Sequence, residues 1–347
     1  MHAPPKADIA ALIGRFQPFH NAHALLLKRA LETAPKVVIV LGSSFHARSA
    51  KDPFTWQERA AMIGCTLSEE ERLRVEFVPV RDYYEDQRWA KGVREKVEKR
   101  AHGSRAIALI GHFKDASRYY LNYFPEWHLV AVESAFDIDA KAIRRVLFEA
   151  QNLNVSIAAL ESVVPFALGQ YLKAWASLSH YRPLVREHQE VAQYKAAWSA
   201  SPYPPIFSTV DAVVQTAGHV LLVKRGAFPG KGLWATPGGF VDPRERLLQS
   251  AMRELIEETR LGILNSTLEN ALVDVKVFDH PDRSQRGRVI THAHFFDLKI
   301  EHLPVVEGAD DAAHAAWVPI DALLGMEDQF FDDHFNILNY FLKIIDD

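Results

Sequence analysis

From Asp8 to about Glu133, short apolar runs alternate with segments whose apolar residues recur at helical spacing. "IAALIG", "KVVIVLGS", "RVEFVPV", "AIALIGH" and "HLVAVE" are continuous and rich in β-branched or aliphatic side chains. Such runs, separated by helical patterns, predict a parallel sheet covered by helices on both faces. In these sheets ligands bind beyond the carboxyl ends of the strands. A helical pattern from about Lys141 to Trp175 completes this region. The pattern weakens between Ala176 and Tyr203, and the Ser/Pro cluster Ser199 to Pro205 is the strongest boundary signal. Beyond it "STVDAVVQTAGHVLLVKRG" reads as two strands joined by a turn at Ala217 and Gly218. A charged helix follows at Arg244 to Thr259, and strands resume in "LVDVKVF", "VITHAHFFDLKI" and "AAWVPI". That is an α/β chain whose second half has a mixed sheet and segregated helices. The expected division is 1–176, a linker over 177–205, and 206–347.

Composition narrows the function classes. At 347 residues the chain is long enough for two ordinary domains, each with its own core. With 40 Lys plus Arg against 44 Asp plus Glu, no global basic field recommends nucleic acid as a partner. The single cysteine, Cys65, excludes an intrachain disulfide, fits a reducing compartment and reads as a buried structural thiol. Neither an apolar leader nor a run of about 20 apolar residues is present, so the expectation is a soluble, cytoplasmic protein without a membrane partner.

Local chemistry carries more. "GRFQPFHNAH", Gly14 to His23, lies between the first strand and an amphipathic run that starts near Asn21, a good N-cap residue. Helix N-terminal amides make an anion site, Arg15, His20 and His23 add donors suited to phosphate, and Gly14 permits close backbone approach. A polyphosphate held for reaction is the reading; a satisfied surface loop is the alternative.

"GRFQPFHNAH" also resembles the HxGH nucleotidyltransferases. "KDPFTWQER" (Lys51 to Arg59) and "RDYYEDQRW" (Arg81 to Trp89) narrow the resemblance to nicotinamide mononucleotide (NMN) adenylyltransferases of the archaeal type. It implies a Rossmann-like nucleotidyltransferase domain in which the phosphate of NMN attacks the α-phosphorus of ATP, giving NAD and pyrophosphate. It further implies that His20 and His23 contact the ATP phosphates, with Arg15 and Lys51 serving the same polyphosphate. Gly14, Phe16 and Gln17 complete the ATP-binding stretch. Asp82 and Trp89 fall on the mononucleotide side, where an indole face suits a cationic ring. The family's last signature appears as "IDAKAIRR", in which Arg144 keeps the arginine while Asp139 and Lys141 replace hydroxyl residues. Ala22 stands where the family has glycine.

In the second half, Glu254, Glu257 and Glu258 sit at helical spacing that places three carboxylates on one face. Clustered carboxylates call for a hard divalent cation, while a solvated acidic face is the bland reading. The segment Gly239 to Leu261 resembles the Nudix box, through Gly239, Glu245, Arg253, Glu254, Leu255, Glu257, Glu258 and Leu261. Arg260 occupies the second glycine, which suggests a displaced C-cap. The resemblance implies a Nudix α/β/α sandwich with Glu254, Glu257 and Glu258 as metal positions, Glu257 and Glu258 being catalytic, and Arg253 and Glu245 as orienting partners. "DHPDRSQRGRVIT" and "EGADDAAHAAWVPI" resemble ADP-ribose pyrophosphatases, with Glu307, Asp310 and Asp311 as candidate bases between which the sequence does not choose.

The order of motifs resembles the bifunctional adenylyltransferase/Nudix enzymes of NAD metabolism across nearly the whole chain. That implies ATP, NMN, NAD and ADP-ribose as small-molecule partners, Mg²⁺ or Mn²⁺ at both sites, and cleavage of ADP-ribose to AMP and ribose 5-phosphate. A homo-oligomer stays open. The alternatives are a non-catalytic, ADP-ribose-sensing Nudix domain and a Nudix-type regulator.

Overall fold

The computed structural model describes residues 7–83, 85–101, 103, 106–112, 123–133 and 138–345. Residues 1–6 of the N-terminal stretch, and Tyr84 within "RDYYEDQRW", lie outside the described residues. The chain forms two compact units, Met1–Val185 and Arg186–Asp347.

The first unit runs β1 (Ile9–Gly14), α1 (Asn21–Thr33), β2 (Lys36–Leu41), α2 (Trp56–Gly64), α3 (Glu69–Arg74), β3 (Val75–Pro79), α4 (Asp86–Arg100), β4 (Ile107–Gly111) and β5 (His128–Ala131). All five strands are parallel, in the order β3-β2-β1-β4-β5. Alternation along β1 sends Ala10 and Leu12 into one apolar cluster and Ile9 and Ala11 into the other, so both faces are covered. The helical pattern after Lys141 resolves into α5 (Ala140–Phe148), α6 (Leu153–Ala158) and α7 (Phe166–Trp175).

The stretch expected as a linker contains a 17-residue helix, α8 (Tyr181–Ala197), and the boundary between the units falls inside it. Leu184, Glu187 and Val191 are its buried positions. Spaced by three and four residues among charged neighbours, they make a stripe too narrow to stand out in the sequence.

The second unit has β6 (Ile206–Thr216), β7 (His219–Arg225), β8 (Trp234–Ala235), β9 (Gly238–Phe240), α9 (Leu247–Thr259), α10 (Asn265–Ala271), β10 (Leu272–Phe278), β11 (Arg288–Asp297) and β12 (Ala312–Pro319). A 3₁₀ segment, Ile320–Gln329, and α11 (His334–Leu342) end it. The main path is β10-β11-β6-β7-β12, mixed because β11 pairs with β6 in parallel and the other pairs are antiparallel. Ala212, Val214 and Leu221 of the sheet pack with Met252 and Leu255 of α9, which fixes the face that α9 turns away from the core. Among the described residues no helix is long and apolar enough to cross a membrane.

Candidate active sites

In the first unit the loop after β1 is built from the inside. Phe16 takes φ 51° and is 2% exposed, and a Cβ on Gly14 would meet its ring at 2.8 Å. Gly14 is therefore required by Phe16. Gln17 is buried as well: its amide nitrogen donates to Phe54 O (2.9 Å) and its oxygen accepts from Phe54 N (3.1 Å). These two residues lock the loop to "KDPFTWQER" and turn their side chains into the protein. Thr55 and Glu58 of that stretch form a capping box that starts α2. His20, not Asn21, is the N-cap of α1; Asn21 Nδ2 instead donates to Ser162 O at 3.0 Å. Ala22 is the second residue of the helix, where a methyl group is tolerated.

His20 and His23 stack with ring centroids 3.7 Å apart, and Phe16 meets His23 edge-on at 4.8 Å. Burial lowers His20 to a pKa of about 4, with Asp139 opposing and His112 assisting. Burial, followed by His20 and His112, holds His23 well below its ordinary value. Both rings are neutral at pH 7, and the Nδ1 atoms of both are buried without a hydrogen-bond partner. Buried polar atoms left unpaired in a cluster of donors mark a place prepared for a ligand.

Arg144 joins this loop from α5, its Nη1 donating to Gln17 O at 2.5 Å. Asp139 caps α5 by accepting from Lys141 N at 2.9 Å, which accounts for the altered "IDAKAIRR". Arg15 is exposed and Lys51 half-buried. Asp82 accepts from Ser43 N (3.2 Å) and lies 3.4 Å from His46 Nε2. Burial would raise its carboxyl, but His46, Ser43 and Arg15 outweigh burial and hold it at about 2. Trp89, in the first turn of α4, is half-buried and edge-on to Phe124 at 6.2 Å.

In the second unit the carboxylates of α9 face a cavity of about 270 Å³, whose lining includes Asp211, Arg225, Glu254, Glu257, Glu258, Asp310 and Asp311. A Cβ on Gly239 would meet the Glu254 carboxyl at 2.5 Å, the steric reason for the first glycine of the box. Glu258 accepts from Gly238 N at 3.0 Å. Burial, with repulsion from Glu254 and Asp211, pushes its carboxyl up to about 8. Burial raises Glu254 too. Arg253 is the local counter-ion: its Nε donates to Glu245 (3.0 Å) and its Nη1 to Glu254 and Glu257 (2.9 Å each). Ser250 and Arg253 lower Glu245.

Among the described residues no three His, Cys, Asp or Glu side chains close into a ready metal cage, because Arg253 holds Glu254 and Glu257. The donor set nevertheless fits a hard divalent cation: all oxygen, with two carboxyls raised by burial and mutual repulsion that a cation would relieve. Of the candidate bases, Asp310 and Asp311 line the cavity. Glu307 pairs with Arg260 at 3.0 Å on the surface, both side chains more than half exposed. Arg260 itself caps α9 at φ 50°, so it adopts the glycine's left-handed conformation and the cap is not displaced.

Residues 11–112 match the Cytidylyltransferase-like family and residues 205–341 the NUDIX domain. A nicotinamide/nicotinic acid mononucleotide adenylyltransferase of Acinetobacter baylyi is 37% identical over 185 residues, 53% of this chain and 95% of that protein. An ADP-ribose pyrophosphatase of Methanocaldococcus jannaschii is 33% identical over 114 residues, 33% of this chain and 62% of that protein. A Francisella tularensis crystal structure of a bifunctional NMN adenylyltransferase/ADP ribose pyrophosphatase, complexed with AMP and a Mn ion, superposes with a TM-score of 0.88. It is 33% identical and covers 97% of this chain and 99% of that chain. The chain belongs to the bifunctional NMN adenylyltransferase/ADP-ribose pyrophosphatase family.

For this member of the bifunctional family, residues to which the sequence assigned no role also build the sites. His112, just after β4, acts on both histidines and binds Val132 O through Nδ1 at 2.8 Å. Its signal was a histidine at the carboxyl end of the strand beside β1. Arg59, 1% exposed, donates to Arg15 O and Gly42 O (2.6 Å each) and to Ser43 O and Ser44 Oγ (3.2 Å each). Asp211, buried in β6, accepts from Thr236 Oγ1 (2.9 Å) and Thr291 Oγ1 (2.5 Å). His334 Nδ1 accepts from Thr236 N at 3.1 Å, and burial lowers that imidazole to about 4. An aspartate inside the apolar run "TVDAVV" was the available sign. Arg283, from "DHPDRSQRGRVIT", makes a buried two-bond pair with Asp333 at 2.9 and 2.7 Å.

Proposed function

We propose that the first unit joins the phosphate of NMN to the α-phosphorus of ATP, releasing pyrophosphate and forming NAD. The second unit hydrolyses ADP-ribose to AMP and ribose 5-phosphate. The observation that carries the first half is the stacked His20–His23 pair with orphaned Nδ1 atoms, met by Arg144 from a distant helix. The transfer needs no covalent protein nucleophile; positioning and charge neutralisation suffice. Arg15, Lys51 and Arg144 supply fixed positive charge, and the neutral imidazoles donate N–H groups to phosphate oxygens. Asp82 and Trp89 form the mononucleotide side.

The second half rests on the α9 carboxylates at the cavity and on the end-to-end likeness to the Francisella protein, whose structure holds a Mn ion and AMP. Glu254, Glu257 and Glu258 would hold Mg²⁺ or Mn²⁺. When bound, such an ion neutralises diphosphate charge and lowers the pKa of a coordinated water. Arg253 orients the carboxylates, Gly238 N–H fixes Glu258, and Asp310 or Asp311 is placed to accept a proton. At the first unit the cation arrives with the ATP phosphates. A single cysteine, the half-buried Cys65, fits a reducing, cytoplasmic setting.

Two assays test the reading on the purified chain with Mg²⁺ or Mn²⁺. Chromatography should show NAD from ATP and NMN, and AMP from ADP-ribose. No NAD over both metals would overturn the first half. Binding of ADP-ribose without cleavage would replace the second half by a sensor.

A further inference from the structure

Among the described residues β10 pairs only with β11, so it is an edge of the second sheet. From Asp274 onward, where its pairing is regular, alternation sets Val275 and Val277 on one face and Asp274, Lys276 and Phe278 on the other; Val273 lies at a shift of register. Val273, Val275 and Val277 are 59%, 43% and 43% exposed. On the other face Phe278 is buried and meets Tyr340 edge-on, while Lys276 Nζ lies 5.1 Å over the same ring. Val275 N–H donates to Asp274 Oδ1 at 2.8 Å, which marks Val275 as a residue whose backbone groups turn to the open side. By alternation Val277 does the same, while Val273 lies at a shift of register between Leu272 and Asp274.

We propose that β10 pairs with β10 of a second copy of this chain, antiparallel about a two-fold axis at Val275, joining two sheets into one. Opposed residues in an antiparallel pair must both turn toward the partner or both turn away, so a two-fold register is centred on a single residue. Centring on Asp274 sets carboxylate against carboxylate, and centring on Lys276 sets ammonium against ammonium. Centring on Val273 leaves Asp274 opposite Leu272, and centring on Val277 leaves Lys276 opposite Phe278. Centring on Val275 pairs Asp274 with Lys276 twice, within the part of the strand whose register is regular. The two charge pairs then occupy positions without backbone bonds, where opposed side chains approach most closely. In the single chain the Asp274 carboxylate covers the open amide, as edge strands require. In the pair that amide donates to the partner's Val275 carbonyl and Asp274 turns to Lys276.

Sedimentation equilibrium of the full chain tests this. The wild type should be a dimer. Asp274→Lys or Lys276→Asp creates two like-charge pairs and should weaken association about tenfold or more, whereas the double reversal restores it to within about threefold. Val275→Lys, at an exposed position on the axis, should weaken it independently. A monomeric wild type, a dimer indifferent to the single reversals and to Val275→Lys, or a double reversal that stays dissociated overturns the proposal.

Discussion

At the scale of single residues, the first unit is organised around a buried cation, Arg59, that closes "KDPFTWQER" and hydrogen-bonds to the backbone of "GRFQPFHNAH" at Arg15. Arg59 ties the loop after β1 to the loop after β2, each of which carries a residue assigned to phosphate or mononucleotide. Arg59→Lys keeps the charge but cannot span these acceptors. NAD formation is expected to fall about a hundredfold through misplacement of both loops, while ADP-ribose hydrolysis is unchanged; parallel steady-state assays check this. His20 gives a pH signature. Its folded pKa of about 4 lies below the ordinary 6.5, so between those values the unfolded chain binds more protons. The associated stability is complete above 6.5 and is lost as pH falls toward 4. His20→Gln should flatten the acid decline of the first unit's thermal transition over that window. An unchanged slope would assign the decline elsewhere.

Among elements, legibility followed the strength of the apolar pattern rather than length, since the 17-residue α8 read as a linker. β1 to β5, β6, β7, β10 to β12 and α9 each hold several apolar residues at their own period, so patterning declared them. β8 and β9 have 2 and 3 residues, fewer than a strand needs to show alternation. Yet β9 carries Gly238 and Gly239, which seat Glu258 and Glu254, and of these the sequence showed Gly239 alone, through its place in the box. The motif residues were legible because their spacing is long and specific; Asp211 and Arg59 act through burial, which spacing does not encode. The C-terminus of α9 offers a direct test of local strain. Arg260→Gly removes the left-handed strain of a side chain, worth about 1 kcal/mol, against an exposed ion pair to Glu307 worth a few tenths, roughly. The second unit's melting transition should rise.

For the whole molecule, two compact units with separate cores imply separable activities. Glu258→Gln should abolish ADP-ribose hydrolysis and leave NAD synthesis intact, and His23→Ala should do the reverse. Loss of both activities in one folded variant would contradict the division. One arrangement in the second unit has a wider consequence. Because Arg253 already serves Glu245, Glu254 and Glu257, the acidic helix carries a resident cation of its own. A divalent ion bound by Glu254 and Glu257 would therefore enter by displacing the Arg253 guanidinium rather than by filling a void.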